Sequence, residues 1–323
     1  MNNNKTTLNS HSESTRRADD ALKRALGQDI LNALADDQIV EIMLNPGGQL
    51  WTDSHAHGMQ YISNVENSRA MAIISIVAAM IGVTVTADNP ILECELPIDG
   101  SRFEALIPPV VPSPTFSLRK KAKLIFTLED YVNSGVMTNL QADVIKEAID
   151  QRKNILIAGG TGTGKTTLAN AILDQISIIS PGHRLVIIED VLELQCQVKN
   201  TVFLRTSANI DQVELLRATL RLRPDRIVVG EVRDKSALAL LKAWNTGHPG
   251  GVGTVHANSA AAALVRIGQL IQEAGVPPAP ELISEAVNLV VSIKRTQGGR
   301  IVDEVTCVNG WTSTGGFRVE KVA

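Results

Sequence analysis

Aromatic residues make up only 3% of this 323-residue chain. That scarcity speaks against an RNA-recognition sheet, whose stacking surface is built from aromatic side chains. Charge of one sign is not in excess either. The 31 Lys and Arg stand against 34 Asp and Glu, a formal net charge of -3, and the pI is near 6.1. This balance argues against a protein that coats nucleic acid through a broad positive field, although it leaves room for a local basic patch. Cys94, Cys196 and Cys307 lie far apart without a CxxC pair. They suit a reduced compartment and supply neither a disulfide framework nor a zinc site. There are no internal repeats and no apolar core of a secretory signal in MNNNKTTLNSHSESTRRADD. The one long apolar run, AMAIISIVAAMIGVTVTA at 70–87, is interrupted by three hydroxyl residues and a glycine. Spanning a membrane takes about 20 mostly apolar residues, so this run reads as a buried helix leading into a strand, and no transmembrane segment is expected.

What is present is a chain with 44% hydrophobic residues, long enough for about two domains. Residues 1–20 read as a flexible polar arm. Over 21–126, short alternating segments and turns indicate an α+β domain: EIMLNPGGQLWTD suits a hairpin, and 91–107 and 115–119 look like strands. TLEDYVNSGVMTN, 127–139, reads as a linker. From 140 to 323 the pattern changes. A helix with Leu140, Val144, Ile145, Ala148 and Ile149 at helical spacing leads to the strand NILIAGG. Apolar strands at 184–190, 225–231 and 251–257 then alternate with helices near 165–178, 211–221 and 235–246. Near-continuous Val/Ile runs separated by helices predict an α/β domain with a mainly parallel sheet covered on both faces. A late hairpin is expected at Gly298-Gly299.

ILIAGGTGTGKTTL, residues 155–168, carries the most chemistry. Gly159, four residues, then Gly164-Lys165-Thr166 fit G-x-x-x-x-G-K-[ST] in its required context, after a strand and before a helix. Gly159, Gly160, Thr161, Gly162, Thr163 and Gly164 would curl their amides around an anion at a helix N-terminus. Lys165 would reach the outer phosphates, Thr166 would ligate Mg²⁺, and Thr167 would continue the cradle. The pattern by itself gives nucleotide binding without hydrolysis. Hydrolysis asks for acids at the same sheet edge, and two strands end in them: RLVIIED at Glu189 and Asp190, and DRIVVGE at Glu231. His256 ends the strand GVGTVHA and is placed near the γ-phosphate or a water. Arg217, Arg221, Arg223 and Arg226 crowd into ten residues, and Arg102 and Arg119 sit in the first domain. Guanidinium forks suit phosphate oxygens, while surface pairing accounts for most such residues.

Four stretches, GGTGTGKTT, IIEDVLEL, LLRATLRLRPDRIVVGEVRD and AWNTGHPGGVGTVHANSA, occur in that order over residues 159–259. They resemble the Walker A, Asp box, Walker B and His box of the secretion ATPases that serve type II and type IV secretion systems. RFEALIPPVVPSPTFSLRK resembles that family's N-terminal part, so the resemblance covers nearly the whole chain. The last two motifs and SEAVNLVVSIKR are most similar to conjugal-transfer members of the type IV branch, and the tetracysteine motif of some type II relatives is absent. The resemblance implies a RecA-like P-loop domain following a smaller N-terminal domain, with ATP and Mg²⁺ held between the two. It implies Lys165 and Thr166 as phosphate and metal contacts, Glu231 as the catalytic glutamate, Glu189 as an acid on the metal side and His256 as the His-box histidine. Arg102 and Arg119 match first-domain arginines that approach the phosphates. One departure is that Gly230-Glu231 stands where other P-loop enzymes carry an Asp-Glu pair.

The assembly so implied is a homohexameric ring in the cytoplasm, attached peripherally to the inner membrane beside other secretion or conjugation machinery proteins. Three functions stay open on these residues: an ATP-hydrolysing motor for pilus biogenesis or substrate transfer, which the acids and His256 favour, a nucleotide-gated assembly switch, and a DNA-handling translocase. The acidic pI and few aromatics count against direct DNA binding.

Overall fold

The computed structural model describes residues 3–54, 57–121, 125–207, 209–296 and 299–323, with side chains from residue 15 onward. The chain divides into two compact units, Met1–Lys123 and Leu124–Ala323.

The first unit runs α1 (Asn3–Ala35), β1 (Ile39–Leu44), β2 (Gln49–Ser54), β3 (Gly58–Asn64), α2 (Asn67–Met80), β4 (Ile91–Glu95), β5 (Arg102–Leu106) and β6 (Thr115–Arg119). Its sheet has the order β3-β2-β1-β6-β5-β4, and every neighbouring pair is antiparallel. Of the polar arm expected over 1–20, residues 1–2 lie outside the described residues and the rest belongs to α1. α1 is kinked at Gly27 (φ 65°); Leu22 and Leu26, one turn apart before the kink, and Ile30 after it are fully buried with Ile73, Ile74 and Val77 of α2. Ile42 and Leu44, Phe103 and Ala105, and Phe116 and Leu118 alternate into the same core, as the two-residue period of a half-covered sheet requires. The hairpin at Asn-Pro-Gly-Gly forms between β1 and β2. The strand expected after α2 does not. Gly82, at φ 77°, ends the helix in a left-handed cap, with Val83 N donating to Ala78 O at 2.9 Å, and residues 83–86 carry no strand pairing. Among the described residues no helix is long and apolar enough to cross a membrane.

The second unit runs α3 (Leu128–Asn133), α4 (Asn139–Asp150), β7 (Ile155–Gly159), α5 (Lys165–Ile179), β8 (Leu185–Glu189), β9 (Thr201–Arg205), α6 (Gln212–Thr219), β10 (Arg226–Val229), α7 (Ser236–Asn245), β11 (Val252–His256), α8 (Ala260–Gln272), α9 (Pro280–Ala286), β12 (Leu289–Thr296), β13 (Gly299–Thr312) and β14 (Gly316–Lys321). Its sheet has the order β14-β13-β12-β7-β11-β10-β8-β9. The pairs from β12 to β9 are parallel, and β13 and β14 extend it antiparallel. Apolar clusters lie on both faces, which explains the uninterrupted Val/Ile runs of β7, β8 and β10. The expected linker 127–139 is part of this unit instead. Thr127 and Asp130 form a capping box at the start of α3, and Leu128, Tyr131 and Met137 enter the core. On α4, Leu140 faces solvent. Thr138 and Gln141 close a second capping box, which turns Gln141 inward to donate to Val302 O at 3.2 Å. β12 and β13 pair antiparallel, and residues 297–298, where the expected Gly298-Gly299 turn begins, lie outside the described residues.

Of the four clustered arginines, Arg226 has a structural role. It begins β10, at the end of the sheet away from Glu231, and is fully buried. Its guanidinium donates to Gly250 O, Ile149 O, Ser180 Oγ and His183 Nδ1 at 2.9–3.2 Å. Burial, aided by Arg152, draws it down to about 10, so it stays charged at neutral pH and is satisfied by carbonyls rather than by a carboxylate. Accepting that hydrogen bond requires His183 to be neutral, and its pKa is lowered first by burial and then by Arg226 and Arg152. Because the folded-state value lies below the unfolded one, the unfolded chain binds more protons as acidity rises, and stability is lost as pH falls below about 6.5. Urea midpoints taken between pH 7.5 and 5.5 are expected to fall less in His183→Asn than in the wild type; equal losses would show that His183 does not carry this dependence.

Candidate active site

The phosphate loop is shaped by close approach. A side chain on Gly159 would meet Thr163 Oγ1 and Ile293 O at 2.5 and 2.6 Å, so only hydrogen fits there. Gly162 and Gly164 take φ of 69° and 97°, the left-handed region that bends the loop so that α5 starts with its amides facing the concave side. Thr163 Oγ1 donates to Gly160 O at 2.9 Å and closes the turn. Lys165, in the first turn of α5, is buried, and its Nζ donates to Gly160 O at 2.9 Å. Thr166 and Thr167 follow it half-buried, while Thr161 is exposed.

Parallel register brings two further groups to this loop. β11 pairs with β7 so that His256 lies opposite Gly159, and β10 pairs with β11 through Val229 and Gly253. Lys165 Nζ stands 3.4 Å from His256 Nδ1, and His256 Nε2 stands 3.2 Å from Glu231 Oε1. An ammonium can only donate, so Nδ1 accepts and Nε2 carries the hydrogen given to the carboxylate. The histidine and glutamate side chains are 43% and 39% exposed, open enough for a water to approach. The backbone around Glu231 is held from three sides. Thr254 Oγ1 donates to Gly230 O at 2.6 Å, Val232 N donates to Thr254 O at 2.8 Å, and Gln212 Nε2 donates to Glu231 O at 3.2 Å. Neither Thr254 nor Gln212 stands out in the sequence, beyond being polar residues in apolar surroundings.

The other acids behave differently. Glu189 is buried, and its Oε1 accepts from Glu193 N and Leu194 N at 3.0 and 2.9 Å. Its side chain fills the space beside Gly230, where an added Cβ would lie 2.9 Å from Glu189 Cγ. That packing explains why the position before Glu231 carries no aspartate. Asp190 pairs with Arg233 at 2.7 Å and accepts from Thr206 Oγ1 at 2.6 Å. Among the described residues no three His, Cys, Asp or Glu gather into a metal site. A Mg²⁺ would find one protein hydroxyl here, that of Thr166, which suits an ion that keeps several waters. Arg102 and Arg119 belong to the first unit, directly opposite one another on β5 and β6, and Arg102 pairs with Glu93 at 2.8 Å.

A family model described as "Type II/IV secretion system protein" matches residues 25–307. The chain is 49% identical over 314 residues to a probable conjugal transfer protein TrbB of Sinorhizobium fredii, covering 97% of this chain and 95% of that protein. It is 30% identical to the type IV secretion system protein VirB11 of Bartonella henselae, covering 84% of this chain and 89% of that protein. Among solved structures, the fold is similar to the ATPase DotB of Legionella pneumophila, with TM-score 0.61, 21% identity, and 84% and 77% of the two chains covered. It is also similar to the pilus retraction motor PilT with bound ADP, with TM-score 0.60, 21% identity, and 86% and 81% covered.

The packing of Gly230 on Glu189 yields a double-mutant test. Gly230→Ala is expected to cost about 1–3 kcal/mol of stability through overpacking, and much less in a Glu189→Ala background. Chemical denaturation of the four proteins of the cycle measures the coupling, and strictly additive effects would contradict the contact.

Proposed function

Because the chain belongs to the type II/IV secretion system protein family, we propose that it is an ATP-hydrolysing motor of a type IV secretion or conjugative transfer system. The observation that carries this reading is the line from Lys165 through His256 to Glu231, which joins the phosphate loop to a solvent-accessible carboxylate. Binding alone needs only the loop. A carboxylate tied to the loop lysine through one imidazole is what hydrolysis adds.

In this mechanism ATP lays its phosphate chain in the loop, where the amides and the N-terminal end of α5 stabilise its charge. Lys165 exchanges Gly160 O for the outer phosphate oxygens. Thr166 would hold a Mg²⁺ from the protein side, and the ion would supply charge neutralisation to the phosphates. Glu231 orients a water in line with the γ-phosphorus and takes its proton. The new P–O bond forms as the bond to the β,γ-bridging oxygen breaks, giving ADP and phosphate. Once Lys165 turns to phosphate, His256 keeps its hydrogen bond to Glu231 and steadies the carboxylate. Glu189 acts through position, bracing the loop at 193–194 and the turn at Gly230, with its charge on the metal side of the site.

The same proposal includes a homohexameric ring that converts domain closure into work on neighbouring machinery proteins. With no membrane-crossing helix among the described residues, contact with the inner membrane would be peripheral and through those partners. The near-neutral charge balance favours work on protein over work on DNA.

Lys165→Ala is expected to abolish turnover, and normal hydrolysis in that variant would sink the proposal. Glu231→Gln should bind ATP with little change while its turnover falls by about a hundredfold or more. If Glu231→Gln still supports transfer in cells, the protein is an assembly switch and not a motor.

A further inference from the structure

The β12–β13 hairpin brings a second source of positive charge to the phosphate loop. Val291, Ile293, Val302 and Val305 lie in the apolar cluster on the α5 face of the sheet. Ile293 pairs with Val302, and two residues further along each strand Arg295 pairs with Arg300. Side chains two apart share a face, so both arginines project on the α5 side, just past the level of Gly159, which packs on Ile293. Like charges placed directly opposite one another repel, and the cost falls when an anion lies close by. On the other face of the same hairpin, Lys294 is matched with Asp303 at 2.5 Å.

Arg300 reaches the loop itself. Its stem covers Gly164, with Cδ 3.2 Å from where a Cβ would stand, and its guanidinium donates to Gly162 O at 3.4 Å. Gly162 O belongs to the peptide whose other end is the N–H of Thr163. In a trans peptide these two groups point in opposite directions. A cation on the carbonyl side therefore leaves the matching N–H pointing away from Arg300, free to face an anion held by the nest. The guanidinium polarises that peptide and fixes its orientation, and its charge lies within a Debye length of the phosphates.

We infer that Arg300 is a positioning residue for the phosphate chain, backing the anion nest from behind through the Gly162 carbonyl, with Arg295 opposite it adding to the local positive field. The ligand class is any polyphosphate that fits the loop, independent of its base. This deepens the nucleotide reading and rests on it for the identity of the natural ligand.

The test uses the full-length protein and three probes, ATP, ADP and inorganic tripolyphosphate, titrated by calorimetry at low salt. Arg300→Gln is expected to weaken all three by about tenfold, with kcat at saturating ATP within about twofold of wild type and the thermal midpoint of the ligand-free protein unchanged. Arg300→Lys should recover part of the affinity, since it restores charge without the fork. Affinities for all three within twofold of wild type in Arg300→Gln would overturn the inference. So would a loss of affinity that comes with a lowered ligand-free midpoint and no recovery in Arg300→Lys, because that combination marks a merely structural residue. Failure here is distinct from failure of the motor: a wild type that binds tripolyphosphate through Arg300 and does not hydrolyse ATP leaves this inference standing and removes the ATPase.

Discussion

The pairing of β11 against β7, with His256 opposite Gly159, fixes the distance between the phosphate loop and the histidine that links it to Glu231. Parallel strands hold neighbouring backbones about 4.8 Å apart. Groups that end adjacent strands therefore converge without any loop having to be long or ordered by ligand. Glu231 follows on β10, whose pairing with β11 and tethers to Thr254 carry the same register one strand further. A one-residue slip would turn His256 to the opposite face. The buried Val/Ile stripes on both faces make such a slip costly, so the apolar core is what specifies the active geometry.

The two ends of this sheet solve different problems with similar residues. At the amino end Arg226 is sealed among carbonyls and a neutral histidine, where its charge ties β10 to α4, to the end of α5 and to the turn before β11. At the carboxyl end Lys165, His256 and Glu231 are linked more loosely, and although the lysine is buried the other two remain reachable by solvent. Full satisfaction gives rigidity, and partial exposure leaves groups free to change partners. The glycines divide in the same way: Gly159 and Gly230 are dictated by neighbours that leave no room, and Gly162 and Gly164 by backbone angles.

Much of this could be read from residues alone. The phosphate loop, the strands ending at Glu189 and His256, and the helices at 165, 212 and 236 follow from apolar runs and one spaced glycine pattern; the strand expected to reach Glu231 stops at Val229. What escaped did so for physical reasons. β9 is an edge strand, half exposed, so it lacks the solid apolar run of its neighbours. α3 looked like a linker because a six-residue helix is shorter than two full turns and shows no periodicity. Leu140 fitted the apolar period of α4, but the capping box at Thr138 and Gln141 turned the helix start so that the amide went inward. Thr254, Gln212 and Arg300 act through the backbone of other residues, and such contacts leave no pattern in composition or spacing.

The bond from Lys165 to Gly160 O gives the ammonium an acceptor within its own loop. The carbonyl and the incoming phosphate compete for the same ammonium, so measured affinity is the difference between two lysine contacts rather than the strength of one. Such an internal competitor also offers a way out. With that carbonyl in reach, the lysine is not stranded in a buried place without an acceptor when a bound phosphate departs. An anion site with an exchange partner in its own backbone can let a phosphate come and go without leaving a buried charge unpaired.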